Sequence, residues 1–543
     1  MVDNKKEQER GDLHASIWKI ADDLRGSVDG WDFKAYVIGA MFYRFLSENL
    51  TEYLNGQEHA AGNGLFDYAE MNDEAAASER ESLIEEKGFY IPPSELFENV
   101  VKRAEKDEEL NVTLDAVFRH IENSSLGSAS ESNFQGLFSD FDVNSPKLGT
   151  SLKRRVETLR KILFGVAGMN LRASHNTIDA FGDAYEYLMQ MYASNAGKSG
   201  GEFFTPQEVS ELLAKIVTSG KKKIKSVYDP ACGSGSLLLK VAQEVKDDGS
   251  LKYYGQEINL TTYNLCRINM ILHDVSYARF DICNDDTLLA PSEVCAAEGP
   301  FQAIVSNPPY SIKWRGDGDP LLINDPRFSP AGVLAPNSKA DLAFVMHSLS
   351  LLSADGTAAI VCFPGVMYRA GKEQKIRKYL VDNNFVDCVI QLPGNLFFGT
   401  SIATCILVLK RGKRDNGVLF IDASKEFVKV TNNNKLTPDN IARIAKKAAE
   451  RTDEEYFARL VPYEDVRAAE YNLSVSTYVE QKDEREKVDI AALNREIRAI
   501  VARENELRDA IEQIVAEIET PEAEPVKAKK SQKSPAKKPR RKA

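Results

Sequence analysis

The chain has 543 residues, 43% of them hydrophobic and 28% charged, which fits folded globular domains and excludes a largely disordered protein. Its formal charge is −12, but the last stretch (PEAEPVKAKKSQKSPAKKPRRKA) holds nine Lys/Arg against two Glu, so the body before it stands at −19. An acidic body excludes a free-standing DNA binder, whose affinity comes chiefly from phosphate contacts; a DNA substrate here needs a partner to supply much of the grip.

Residues 1–11 are expected to be disordered. From Asp12 the pattern turns helical, with Leu13, Ile17, Ile20 and Leu24 at three- and four-residue steps until Arg25-Gly26-Ser27 breaks it. A second helix is expected over about 32–50, an acidic polar stretch over 51–90, and further helices from Pro92 to Leu171. Residues 12–171 thus form a helical N-terminal domain without a nucleophile, metal or phosphate signature, best suited to interaction. One amphipathic helix covers 177–192, and Ser194 to Gly201 is a glycine-rich turn. Thr205-Pro206 then starts a helix, with Thr205 as N-cap and Pro206 in its first turn. The segment Glu202, Phe203, Phe204, Thr205, Pro206, Gln207 is a candidate to lie over a cofactor, with Phe204 packing a flat ring.

Strands and helices now alternate. Strands are expected at Ile224–Tyr228, Lys252–Gly255, Ala278–Ile282 and Ala303–Val305, with helices at Leu237–Val245 and Leu260–His273. A helix at Ala340–Leu352, strands at Gly356–Phe363, Phe385–Leu392 and Ser401–Leu409, and a strand at Val418–Asp422 with short helices complete the domain. Units of this length imply an α/β fold with a doubly wound, Rossmann-like parallel sheet over 172–480, its ligands at the carboxyl ends of the strands.

The unusual residues fall at those ends. The fourth strand enters Asn307-Pro308-Pro309-Tyr310. Two prolines stop a strand, since neither donates a ladder hydrogen bond, and each pushes the residue before it to extended geometry. The Asn307 carboxamide oxygen and the Pro308 carbonyl can then face one small target, with the Tyr310 ring beside it. Two acceptors and a ring face suit a nucleobase bearing an exocyclic amine. The first strand enters Asp229-Pro230-Ala231-Cys232-Gly233-Ser234-Gly235-Ser236. A dinucleotide fingerprint needs a small residue where Leu238 stands, and no Lys-Ser/Thr follows, so neither pyrophosphate nor a P-loop fits. A tight turn after an acid suits a zwitterionic amino-acid tail. Glu257, 22 positions after Gly235, can take both ribose hydroxyls, and Asp286 can accept from an adenine amine. With Ala231, Ser234, Ser236 and Thr287 alongside, these groups add up to S-adenosyl-L-methionine.

From Asp489 onward Ile490, Leu493, Ile497, Ile500, Glu504, Leu507, Ile511, Ile514 and Ile518 recur at alternating steps of three and four. Such a helix over 481–520 either packs on its own domain or joins an intermolecular bundle; the unbroken seam and charged flanks favour the bundle. The basic tail 521–543 is expected to be disordered, touching DNA non-specifically or serving no measurable purpose. Seven cysteines (232, 266, 283, 295, 362, 388, 405) without a Cys-x-x-Cys indicate reduced thiols of a cytoplasmic protein and no metal site, which sets aside the zinc deaminases. No apolar run reaches the ~18 residues of a membrane span, and the charged start carries no secretory signal, so no membrane association is expected.

The chain resembles the modification (M) subunit of type I restriction–modification enzymes, an N6-adenine DNA methyltransferase. The resemblance rests on Gly182–Leu188, Gly200–Pro206, Asp229–Gly235, Asn307–Tyr310, Ser338–Phe344 (SKADLAF) and Leu392–Leu409, with Leu24-Arg25-Gly26 in the N-terminal helix, and spans roughly 10–520. It implies an adenine flipped into the pocket, both amine N–H groups accepted by Asn307 and Pro308, Tyr310 stacking the base and either Phe397 or Phe398 stacking its other side. It also implies partners: DNA, one specificity subunit per two M subunits, and a restriction subunit in the larger complex. The heptad then docks on the specificity subunit. The rivals are a same-fold methyltransferase acting on RNA or on protein glutamine, and a catalytically silent scaffold.

Overall fold

The computed structural model describes residues 2–24, 32–172, 176–195, 205–397, 400–431, 433–482 and 489–519. Strands β1 (Ser226–Asp229), β2 (Lys252–Gln256), β3 (Phe280–Cys283), β4 (Phe301–Ser306), β5 (Leu352–Cys362), β6 (Val386–Gln391), β7 (Cys405–Lys410), β8 (Val418–Asp422) and β11 (Ala458–Val461) build one sheet in the order β11-β8-β6-β7-β5-β4-β1-β2-β3. β9 (Val428–Val430) and β10 (Asn433–Lys435) form a separate hairpin. The central strands are near-continuous apolar runs because both faces are covered. Val227 and Val305 face a core shared with the helices Gln207–Thr218, Ser236–Val245 and Leu260–Leu272. Their neighbours Tyr228 and Ile304 face a second core under the helices Asp341–Ser350 and Lys372–Asp382. This is the doubly wound α/β arrangement expected.

The expectation of an all-parallel sheet is corrected. β4, β1, β2, β3 and β5 pair in parallel, as do β6 and β8. β7 lies antiparallel between β5 and β6, and β11 antiparallel on β8. The described residues of the link from β6 to β7 (392–397 and 400–404) hold no helix, and only a connection with a crossover can return a strand in parallel. β6 therefore ends at the same carboxyl edge as β1 and β4.

The helical N-terminal region is not separated from the sheet: Met1–Gln481 make one compact unit. Arg267, 2% exposed on the helix Leu260–Leu272, donates to the carbonyls of Ser132 and Gln135, both at 2.9 Å. Tyr277 donates to the Glu85 carbonyl at 2.6 Å, and Asn133 to the Phe280 carbonyl at 3.2 Å. A helix-rich region that buries an arginine against its neighbour shares that neighbour's core.

Two further expectations change. The N-terminal helix spans Val2–Asp23, so residues 2–11 are helical. Their Lys, Glu, Gln and Arg are good helix formers, and long-range partners hold them: Glu9 accepts from the Thr177 amide and hydroxyl (2.9 and 2.7 Å), and Arg10 pairs with Asp183 at 2.9 Å. The helix Gln207–Thr218 has Pro206 at its N-cap without a side-chain cap bond; Thr205 is committed elsewhere.

The segment from Lys482 is a second unit. Within it Ile490–Glu519 is one helix of 30 residues with no buried side chain. Residues 520–543, covering the expected disordered tail, lie outside the described residues. Among those described, no helix is long and apolar enough to cross a membrane.

Candidate active site

In an open α/β sheet, ligands bind at the carboxyl edge where the strand order reverses, here between β1 and β4. β1 delivers Asp229 there, fully buried. Its Oδ1 accepts from the Ala231 amide at 2.9 Å, while Oδ2 is buried without a hydrogen-bond partner. Ser306, the last residue of β4, faces this carboxyl without a well-formed hydrogen bond. Burial pushes the Asp229 carboxyl up to about 7, and the Ala231 amide opposes the shift only in part.

The turn after Asp229 needs glycine for two reasons. Gly233 and Gly235 have φ of 53° and 79°, in the left-handed region. A Cβ on Gly235 would also lie 2.8 Å from Cys266 Sγ. Asn269, fully buried, fixes the turn by donating to the Ser234 carbonyl at 2.8 Å. At the end of β2, Glu257 accepts from the Gly233 amide (3.1 Å) through one oxygen and from the Asn259 amide (2.9 Å) through the other. Burial raises its pKa, against those amides. So Asp229, Ala231, Gly233, Ser234, Gly235, Ser236 and Glu257 come together.

Beyond β3, Asp286 sits at a turn and accepts through Oδ1 from the amides of Leu288 (2.9 Å) and Leu289 (3.2 Å). Thr287 is buried, and its hydroxyl is committed to the Pro230 carbonyl at 2.6 Å, which ties this loop to the glycine turn. Its side chain therefore shapes the site more than it offers a contact.

β4 delivers Asn307, 7% exposed. Its Nδ2 donates to Thr205 Oγ1 at 3.1 Å, and its Oδ1 accepts from the Tyr310 hydroxyl. The threonine expected to cap a helix thus orients the amide instead, and it brings Thr205, Pro206 and Gln207 to the same rim. Pro308 is buried and Pro309 half-buried behind them. Ser311, at φ 52°, is pinned by both oxygens of Asp341 (3.1 and 3.2 Å), fixing the exit from the motif. Phe397 is 2% exposed and meets the Tyr310 ring edge-on, with centroids 6.4 Å apart and planes at 81°. Glu202, Phe203, Phe204 and Phe398 lie outside the described residues.

Sequence reasoning missed a buried polar strap. Arg327, held by Asp325 at 2.7 Å, donates to the carbonyls of Thr287 and Leu288, both at 2.8 Å. It also meets His347 Nδ1 at 3.1 Å, and His347 Nε2 lies 2.8 Å from the Tyr228 hydroxyl on β1. Burial, with Arg327 alongside, pushes His347 down to about 3, so the ring is neutral. Nδ1 accepts from Arg327 and Nε2–H donates to the Tyr228 hydroxyl. Asp341 had a signal, since it stands in the Ser338–Phe344 stretch; Arg327 and His347 had none.

A family model for N-6 DNA methylase matches residues 176–487, and one for the HsdM N-terminal domain matches 13–164. The type I restriction enzyme MpnII methylase subunit of Mycoplasma pneumoniae is 51% identical over 533 residues, 95% of this chain and 98% of that protein. The type I restriction–modification methyltransferase subunit of Streptococcus thermophilus superposes with a TM-score of 0.78 at 34% identity, covering 87% of this chain and all of that one. A modification subunit of a type I restriction enzyme from Vibrio vulnificus shares the fold at a TM-score of 0.56 and 16% identity, over 84% of this chain and 93% of the other. With a matching architecture, and relatives that align from end to end, the chain belongs to the N-6 DNA methylase family, as a type I restriction–modification methylase subunit.

Proposed function

We propose that this subunit transfers a methyl group from S-adenosyl-L-methionine to the N6 of an adenine flipped out of duplex DNA. One observation carries the reading: Asn307 stands at the switch point of the sheet with its amide oriented by Thr205 and Tyr310, one strand away from the buried Asp229 carboxyl. The cofactor's chemistry fits the donor set. Asp229 keeps a buried, unpartnered oxygen suited to an ammonium group. The left-handed glycines admit close backbone approach, and Glu257 and Asp286 offer carboxylates for ribose and adenine at the next two strand ends. When bound, the cofactor supplies a methyl group already activated on a sulfonium.

The protein's part is to prepare the acceptor. An adenine amine is a poor nucleophile because its lone pair is delocalised into the ring. Accepting both N–H groups at Asn307 Oδ1 and the Pro308 carbonyl draws the nitrogen toward tetrahedral geometry and frees that lone pair. The base amine takes over the place at Oδ1 that the Tyr310 hydroxyl holds, and Tyr310 then serves as the stacking ring. Phe397, buried and edge-on, props that ring. Orientation carries much of the barrier lowering and no strong base is required.

Two copies of the chain assemble with one specificity subunit that reads the bipartite DNA site, and a restriction subunit joins the larger complex in the cytoplasm. The acidic composition supports this division of labour, since the duplex must be gripped elsewhere. The exposed helix Ile490–Glu519 supplies the docking surface. Asn307→Ala tests the core of the reading. Tritiated-methyl transfer should fall by about 100-fold or more, the order seen on removing one oriented polar group from a reacting site, while cofactor affinity stays within about twofold of wild type. Wild-type turnover in the variant would sink the assignment.

A further inference from the structure

The β9–β10 hairpin is the one strand pair outside the main sheet among the described residues, and the catalytic reading leaves it unused. β8 runs parallel to β6, so the chain leaves β8 at the carboxyl edge, the edge that carries Asp229 and Asn307. All three residues of β9 are exposed. Phe427, Val428 and Val430 are 37%, 44% and 48% open to solvent and cluster with Lys429 and Lys435. In register, Val428 faces Lys435 and Val430 faces Asn433, while Lys429 faces Asn434. Alternation then puts two valines, Asn433 and Lys435 on one face.

The base of the hairpin is fixed. Leu436 is 1% exposed, and Thr437 closes a capping box with Asn440 at the start of the helix Pro438–Glu450. Asn434 is also tied inward. Its amide donates to the Asn395 carbonyl at 2.9 Å, and its Nδ2 to the Gly394 carbonyl at 2.8 Å. Gly394 and Asn395 begin the turn that carries Phe397, and Phe397 packs on Tyr310. Of the acids near the strands, Glu426 is engaged by Asn440 and Arg443, and Glu208 lies within electrostatic reach of Lys435. Exposed valines with Lys435 on their face and Lys429 on the other, set on an acidic body, match what a DNA groove offers. Lysines meet phosphates, and small apolar side chains meet sugars, thymine methyls or an opened base step.

We propose that the paired strands Val428–Val430 and Asn433–Lys435 are a DNA-contacting finger that seats beside the target adenine and, through Asn434, links its docking to the turn behind Tyr310. The proposal rests on the DNA-methylating function argued above. A duplex that delivers a base to Asn307 must lie across the carboxyl edge from which the finger projects.

The test uses the full-length chain assembled with its specificity subunit and an oligoduplex carrying 2-aminopurine at the target position. Lys429→Ala with Lys435→Ala should weaken DNA binding about five- to tenfold and lower the slope of log affinity against log salt by about 1–2. Cofactor affinity and co-elution with the specificity subunit should not change. Asn434→Ala should keep DNA affinity within about twofold yet cut both the 2-aminopurine signal and the methylation rate several-fold. Unchanged affinity and salt slope in the lysine variant overturn the proposal. So does loss of co-elution, which would make the finger a protein contact. If the wild-type complex binds the duplex but transfers no methyl group, the functional reading fails while the finger is still scored by affinity and salt slope.

Discussion

Replacing Leu507 and Ile511 together by glutamate should release the chain from its specificity subunit without harming its own fold. The two residues sit one turn apart on the helix Ile490–Glu519, 59% and 61% exposed, in a stripe with Ile490, Leu493, Ile497, Ile500, Ile514 and Ile518. Full burial of a Leu or Ile side chain is worth about 1.5–3 kcal/mol. With some 60% of each still open to water, docking can gain about 1–1.5 kcal/mol per residue. Losing both costs about 2–3 kcal/mol, or about 30- to 150-fold in affinity, before the penalty of burying two carboxylates is counted. Glutamate keeps the helix, and since no side chain of this helix is buried, the melting temperature of the isolated subunit should not move. Titration calorimetry with the specificity subunit reads the affinity, with Asp509→Ala on the opposite face as control. An unchanged affinity refutes the docking role. A lower melting temperature of the isolated subunit refutes the premise that the stripe is unpartnered there.

Four further outcomes follow from the site. Burial holds the Asp229 carboxyl at about 7 instead of 3.8. Its contribution to stability is therefore full below about pH 4 and lost as pH rises through 7. Asp229→Asn, neutral throughout, should gain melting temperature over wild type by more at pH 8 than at pH 5; a gap independent of pH refutes the shift. In wild type, cofactor affinity should weaken as pH falls through 7, because protonation removes the partner of the ammonium group. Tyr310→Phe keeps the ring and should retain the methylation rate within about tenfold, whereas Tyr310→Ala forfeits stacking worth about 1–3 kcal/mol, up to about 150-fold; equal losses in both would assign the effect to the hydroxyl. Gly235→Ala forces a side chain into φ 79° and to 2.8 Å from Cys266 Sγ. Denaturant unfolding should show about 1–3 kcal/mol lost, with cofactor affinity down about tenfold, and a variant of wild-type stability would contradict the packing.

The strands that form the site were plain in the sequence because each is an apolar run ending in Gly, Pro or an acid, and strand ends are where such residues belong. What periodicity cannot carry is a partner far along the chain. Thr205 looked like a helix cap because a Thr-Pro pair starts helices locally, but its hydroxyl accepts from Asn307, 102 residues away. Residues 2–11 looked too polar to fold, and they are held by Thr177 and Asp183. Arg327 and His347 are unremarkable in sequence, one in a loop and one on an apolar helix, and only the fold stacks them beneath the loop after β3. The antiparallel β7 was hidden because a strand's own sequence does not record its direction; the missing crossover helix did.

The Asn307 amide joins the two halves of the site. A carboxamide has two N–H donors and one oxygen with two lone pairs. Thr205 takes a donor, which fixes which end of the amide faces the base, and Tyr310 occupies one lone pair of the oxygen. Thr205 stands beside the proposed cofactor site, and the Tyr310 ring meets Phe397 in the turn to which Asn434 donates. The proposed cofactor side and DNA side therefore meet on a single side chain. A base amine arriving there gains a pre-oriented acceptor without reorganising the amide, and the hydroxyl it displaces belongs to the ring that must then stack on it. On the proposed reading, selection of the target sequence requires none of these groups.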